Sequence, residues 1–173
     1  MPNAMTHLPR LMEKAGRSAL YLRLLNLLLG RTIPFNRPHG IRVTGAGGDV
    51  LRTLLPYRRR NFNHIRGLHA CALATLAEFS TGLLLVSRLD PARYRIIMQS
   101  IRMDYHYQGK MDATAEFSID QTWLEREIYT PLQQQESVLV PCTVLIHDRD
   151  GNHLCTGQVS WQVKSWEKVK TKV

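Results

Sequence analysis

Residues 70–87 are nearly all apolar or small, an 18-residue run with a single carboxylate, Glu78. That density predicts a helix meant to be buried. Upstream, Leu11, Met12, Ala15, Ala19, Leu22 and Leu25 or Asn26 recur at helical spacing, with Arg10, Lys14, Arg17 and Arg23 elsewhere on the wheel. One basic amphipathic helix is expected over residues 9–29, stopped by Gly30 and kept from resuming by Pro34 and Pro38. Residues 1–8 read as a frayed start. Period-two alternation predicts strands elsewhere: a hairpin of residues 41–44 and 50–55 joined across Gly45 to Asp49, then residues 93–107 and 111–119 about Gly109. A last hairpin, 138–147 with 154–163, flanks a turn of Asp148, Arg149, Asp150, Gly151 and Asn152. Between these, residues 121–135 read as a short irregular helix and loop broken by Pro131.

Helix, hairpin, long helix, four strands is an order without recurrent strand–helix–strand units, which argues against a parallel doubly wound sheet. The expected fold class is α+β, an antiparallel sheet curled around one central helix with an extra helix before it. An N-terminal helix and linker would occupy residues 1–35 and the main domain residues 36–173. A sheet of this kind covers the helix from one side, and its open edges predict pairing with a second subunit.

Charge sharpens the picture of partners. The 23 Lys and Arg exceed the 14 Asp and Glu, a net +9 that favours anionic ligands. No helix-turn-helix, RNP-like or zinc-finger pattern accompanies it, so nucleic acid is not the expected partner. Phosphate-bearing small molecules such as coenzyme A, or an anionic membrane, would be drawn to the same charge. For residues 9–29 the expectation is docking on the core, with contact to a membrane surface as the alternative. Three cysteines (Cys71, Cys142 and Cys155) without CxxC or ligand spacing indicate reduced thiols, a cytoplasmic setting and no metal site. Arg23 and Asn26 interrupt the leucine-rich patch and no small-x-small cleavage site follows, so no signal peptide is read. AGGD lacks the phosphate-loop pattern, and DRDGN lacks a calcium loop's twelfth-position Glu, Val159 standing there. His106 reads as a strand histidine, while His147 and His153 face one another across the last hairpin.

Glu78 requires a physical reason, because a carboxylate on an apolar helix is costly unless solvated, paired, neutralised or facing a cleft. Its neighbours at three and four residues, Ala74, Thr75, Thr81 and Gly82, offer no charge and leave space beside it. A central acid together with Ala, Ser, Thr and Gly also argues against a membrane span here. Before the helix stands a polar loop with Asn61, Asn63, His64 and Arg66, preceded by Arg58, Arg59 and Arg60. That arginine run is a solvated loop or a contact for a phosphate near the helix opening.

Asn63, Gly67, His69, Ala70, Cys71 and then Glu78, nine residues after the histidine, resemble the signature of hotdog-fold acyl-CoA thioesterases of the phenylacetate-pathway type. In that family an Asn precedes a Gly-x-x-His-Gly-Gly helix opening, with an Asp or Glu nine residues on. Here His69-Ala70-Cys71 replaces His-Gly-Gly and one residue separates Gly67 from His69, details closer to a neighbouring group of uncharacterised hotdog proteins. The resemblance covers residues 39–165. It implies a homodimer or dimer of dimers, an acyl-CoA-like thioester as substrate and no cofactor. It further implies Glu78 as base or nucleophile, acting on a thioester held at the other subunit's helix end, with Asn63 orienting water or the carbonyl, His69 polarising or positioning the substrate, and residues Gly67, Ala70 and Cys71 at the binding end. Backbone N–H groups at a helix N-terminus are suited to a developing oxyanion independently of the family. Two other readings share the fold: a noncatalytic module that binds an acyl or lipid-like ligand, and a dehydratase or hydratase. A Cys71 nucleophile would need a distant histidine, since His69 is two residues away.

Overall fold

A computed structural model describes residues 7–170. The chain forms helices α1 (Leu8–Arg17) and α2 (Ala19–Thr32), strands β1 (Arg42–Gly47) and β2 (Val50–Leu55), helix α3 (Ala70–Arg88), and strands β3 (Tyr94–Tyr105) and β4 (Ala113–Ser118). Short helices α4 (Gln121–Leu124) and α5 (Thr130–Gln134) precede β5 (Ser137–Asp148) and β6 (His153–Ser165). All six strands pair antiparallel in the order β1-β2-β4-β5-β6-β3. The sheet wraps α3, which packs against β2 to β6. This is the hotdog architecture.

α3 is long and apolar enough to cross a bilayer, but the sheet explains its composition instead: most of its residues are buried inside this chain. Leu76, Leu84 and Leu85 are sealed off from solvent with Leu51, Leu55, Val140 and Ile146 of the sheet. Its buried hydroxyls are all satisfied. Ser80 Oγ donates to the Leu76 carbonyl and meets Thr53 Oγ1 at 2.6 Å. Thr81 Oγ1 donates to the Ala77 carbonyl and accepts the Trp161 indole N–H at 3.0 Å. Such pairing removes most of the cost of burying polar groups.

The N-terminal region differs from the single helix expected over residues 9–29. Ser18, extended at φ −149° and ψ 125°, breaks it into α1 and α2, and both lean on β1. With the break, α1 rests directly on the strand: a Cβ on Gly16 would lie 2.0 Å from the Ala46 carbonyl oxygen. Asn26 of α2 then clamps that edge strand from its open side, its amide donating to the Val43 carbonyl at 2.9 Å and accepting the Val43 N–H at 2.8 Å. The two bonds imitate a neighbouring strand and block edge pairing there. α2 continues past Gly30 to Thr32. Of the frayed start expected over residues 1–8, residues 1–6 lie outside the described residues, and Leu8 opens α1 as a buried residue. Pro131 likewise does not break residues 121–134, because it sits in the first turn of α5, where its missing N–H is not needed. A π-helical segment, Glu125–Tyr129, links α4 to α5.

β3 is the other edge of the sheet. It runs for 12 residues, has a bulge between Met98 and Ser100, and exposes Ile97 and Met98.

Candidate functional site

The loop from Pro56 to His69 is held by buried polar contacts. Asn61, 1% exposed, donates through its amide to the His39 and Pro56 carbonyls at 2.9 and 2.8 Å. Its carboxamide oxygen meets His39 Nδ1 at 3.0 Å, and its main-chain carbonyl accepts the His69 N–H at 2.8 Å. Asn63 closes the inner turn, with Oδ1 accepting the N–H groups of Ile65 and Gly67 at 3.1 and 2.9 Å. Arg66 adopts φ 59° at the tip, and the Tyr57 hydroxyl fixes that residue by donating to its carbonyl at 2.6 Å. A Cβ at Gly67 would meet the exposed Gln108 side chain at 2.9 Å, so the loop lies close against that residue.

This loop delivers the N-terminus of α3. His69 is the N-cap, and its Nδ1 accepts the Cys71 N–H at 3.1 Å. The accepting nitrogen carries no proton, which leaves the neutral ring's hydrogen on Nε2, on an exposed side chain. The Ala72 N–H is bonded to the His69 carbonyl, whereas the Ala70 N–H has no hydrogen-bond partner among the described residues. The helix end therefore offers the Ala70 N–H and the His69 Nε2–H as donors, backed by the dipole of a 19-residue helix.

A cavity of about 280 Å³ opens beside this end, lined mostly by apolar surface and bordered by Phe35, His39, Arg60, Asn61, Phe62, His69, Cys71, Ala72 and Thr75. A second hollow of about 330 Å³ on the helix's other flank contains Asn63, Ala70, Tyr105, His106 and Tyr107. The Tyr105 hydroxyl donates to the Ala70 carbonyl at 2.9 Å across it. The predicted residues are thus distributed: His69, Cys71 and Arg60 border the first hollow, and Asn63 and Ala70 the second. Arg59 is exposed, and Arg58 folds back onto the Pro38 carbonyl beneath Gly40.

Glu78 borders neither hollow. It lies on the one stripe of α3 that its own chain leaves uncovered, formed by Cys71, Ala74, Thr75 and Glu78 at i, i+3, i+4 and i+7, while Leu73, Leu76, Ala77 and Phe79 between them are buried. No cation pairs with it among the described residues, and burial pushes its carboxyl above the ordinary carboxylate range. Ala70 and Glu78 are eight residues apart, about 12 Å along the axis at the helical rise. One carbonyl group within one chain cannot touch both.

Burial also pushes the thiols of Cys142 and Cys155 up to about 12, which makes both inert as nucleophiles near neutrality. His147 and His153 do stand opposite one another, and His106, just past β3, joins them with its ring centroid 4.6 Å from that of His153. No group of three or more metal-ligating side chains is arranged for an ion among the described residues. The contributions of Asn61, His39, Phe35 and Tyr105 were not visible in the pattern. The only signal was the polar loop itself, in which Asn61 and Asn63 look alike until their burial separates them.

A family model described as a domain of unknown function (DUF4442) matches residues 22–163. None of the curated proteins compared matches the chain. Among solved structures, a Pseudomonas aeruginosa protein described as a probable thioesterase superposes with a TM-score of 0.76 at 24% identity, over 83% of this chain and 95% of its own. A mutant thioesterase from the same organism gives 0.64 at 16% identity, covering 83% and 94%. A thioesterase from Haemophilus influenzae gives 0.61 at 15%, covering 83% and 90%. At these identities the likeness carries the fold. With the family match running from α2 to the end of β6's buried stretch, the chain belongs to the DUF4442 family, built on the hotdog fold that these solved structures share.

Proposed function

We propose that the protein is a thioesterase acting on acyl-CoA-like thioesters, with Glu78 as its working carboxylate and a second copy of the chain completing each site. The observation that carries this reading is the placement of Glu78: a half-buried acid without a cationic partner among the described residues, on the open stripe in the middle of a core helix. The thioesterase descriptions of the solved relatives support the reaction class.

The chemistry follows from what each group can do. The thioester carbonyl would lie at the α3 N-terminus, where the Ala70 N–H and His69 Nε2–H stabilise the oxyanion as it forms. Glu78 would take a proton from water as it attacks, after which the tetrahedral intermediate breaks its C–S bond and that proton goes to the departing thiolate; or Glu78 would attack directly, expelling the thiolate to give an anhydride that water then cleaves. The 12 Å estimated between donors and carboxylate within one chain is the reason for a second copy. An antiparallel partner, joined along the open β3 edge, would set its Glu78 against this chain's helix end. Arg60, at the mouth of the apolar cavity, is placed to meet a phosphate of the coenzyme.

Thiol release from short, medium, long and aromatic acyl-CoAs, with wild type and Glu78→Gln compared, tests the proposal. Turnover that disappears in the variant while the oligomer stays folded is the expected result. Undiminished turnover removes Glu78 from the mechanism. A folded wild type that releases no thiol but retains acyl-CoA in equilibrium binding would favour the noncatalytic acyl-binding module.

A further inference from the structure

α2 is apolar on both sides. Its inner face packs through Leu22, Leu25 and Leu29, and its outer face turns Leu20, Tyr21, Leu24, Leu27 and Leu28 to solvent. Leu20 is 73% exposed and Leu27 55%. The four leucines fall at i, i+4, i+7 and i+8 with Tyr21 beside them at i+1, so they form one continuous stripe on the side opposite the core. Phe35, in the turn that follows the helix, is 66% exposed. A patch of this kind on one helix is an interaction surface.

Charge identifies what covers it. Residues 1–60 contain eleven Lys and Arg against two Asp and Glu, whereas residues 61–173 contain twelve of each, so the whole net charge of +9 belongs to the part of the chain that bears the stripe. Arg31 projects within the stripe by helical position, Arg23 flanks it, and the Lys14 ammonium lies 5.2 Å from the Tyr21 ring centroid at its edge. An identical copy is a poor occupant, since a twofold contact would set this positive face against itself. The helix has 14 residues, about 21 Å in length, too short for a hydrocarbon core about 30 Å thick.

We infer that α2 docks the protein in the plane of an anionic membrane surface, its leucine stripe entering the lipid boundary and Arg23, Arg31 and Lys14 meeting the headgroups. Phe35 also borders the cavity beside the α3 N-terminus, so docking brings that cavity to the bilayer. This placement holds whether or not the cavity hydrolyses a thioester.

The test is flotation of the full chain with vesicles of phosphatidylcholine alone and with about one-third phosphatidylserine. Binding to the anionic vesicles, weakened by salt, is expected, and the triple variant Leu20→Ser, Leu24→Ser, Leu27→Ser should weaken it by about tenfold or more. Arg23→Glu with Arg31→Glu should weaken it to a similar degree. All five side chains are exposed, and circular dichroism with an unchanged melting transition verifies that the variants are folded. Failure of the folded wild type to bind anionic vesicles overturns the inference, as does undiminished binding by the folded triple variant. A leucine-to-serine oligomer that becomes smaller in light scattering, without vesicle binding by the wild type, would assign the stripe to contact between copies instead.

Discussion

Replacing Gly82 by alanine tests the packing of α3 against the sheet, because two physical effects give opposite signs. Helix propensity alone makes alanine more stable than glycine at an interior position by about 1 kcal/mol. Packing predicts the reverse. A Cβ at residue 82 would lie 2.5 Å from Trp161 Cη2 and 2.6 Å from Cζ2, nearly 1 Å inside the 3.4 Å at which ordinary contact begins. The indole cannot yield freely. Its N–H is bonded to Thr81, it is 5% exposed, and its strand is paired on both sides, with Met98 in β3 and Val140 in β5 opposite it. Overpacking of this kind costs about 1–3 kcal/mol, and displacing the ring adds about 1 kcal/mol for the indole hydrogen bond. Against the propensity gain, the net expectation is a loss of about 1–3 kcal/mol. Guanidinium unfolding followed by tryptophan fluorescence measures it, with an unchanged m-value showing that only stability has moved. The same substitution in a Trp161→Phe background, followed by circular dichroism, should be neutral or stabilising, since phenylalanine lacks the outer ring. A Gly82→Ala protein as stable as wild type, or more stable, would refute the account of Trp161 as an immovable neighbour.

Other perturbations are equally specific. Glu78→Gln should raise the melting temperature at pH 8 yet leave it nearly unchanged near pH 4: burial lifts the folded-state pKa, so the carboxyl's favourable contribution is complete below the unfolded value and lost as pH rises through the folded one. Activity that depends on ionised Glu78 should rise through that same elevated range, and a flat pH–rate profile would contradict its role as base. Asn61→Ala removes three side-chain hydrogen bonds and should cost about 3 kcal/mol in denaturant unfolding. Faster amide exchange around residues 56–69 should accompany that loss, and a cost well under 1 kcal/mol would mean that the loop is held otherwise. At the last hairpin, burial pushes the Asp148 carboxyl up, but hydrogen bonds from Asn152 and Asp150 outweigh it and set the pKa below the usual value. Asp148→Asn should therefore lower stability at pH 7, with the difference shrinking as pH falls from about 4. A pH-independent difference in urea titrations would rule out this charge effect.

Local pattern determined the elements that have one strong periodicity. α3, the alternation of Ala113, Ala115 and Phe117, and the β5–β6 hairpin around Gly151 were legible because most of their residues follow a single period. So was Glu78, since an acid in an apolar run is conspicuous without coordinates. The sequence could not reveal the break at Ser18, beside which Gly16 meets Ala46 in a strand some thirty residues later. Nor could it separate Asn61 from Asn63, because the carbonyls of His39 and Pro56 that fix Asn61 converge on it only after folding. The outward leucines of α2 look in sequence like any core-seeking helix, and Asn26 looks like an interruption until Val43 is found against it. Periodicity specifies which residues share a face. Which faces are then covered, and which polar group meets which, depends on contacts between distant segments, and those were decided by the tertiary structure.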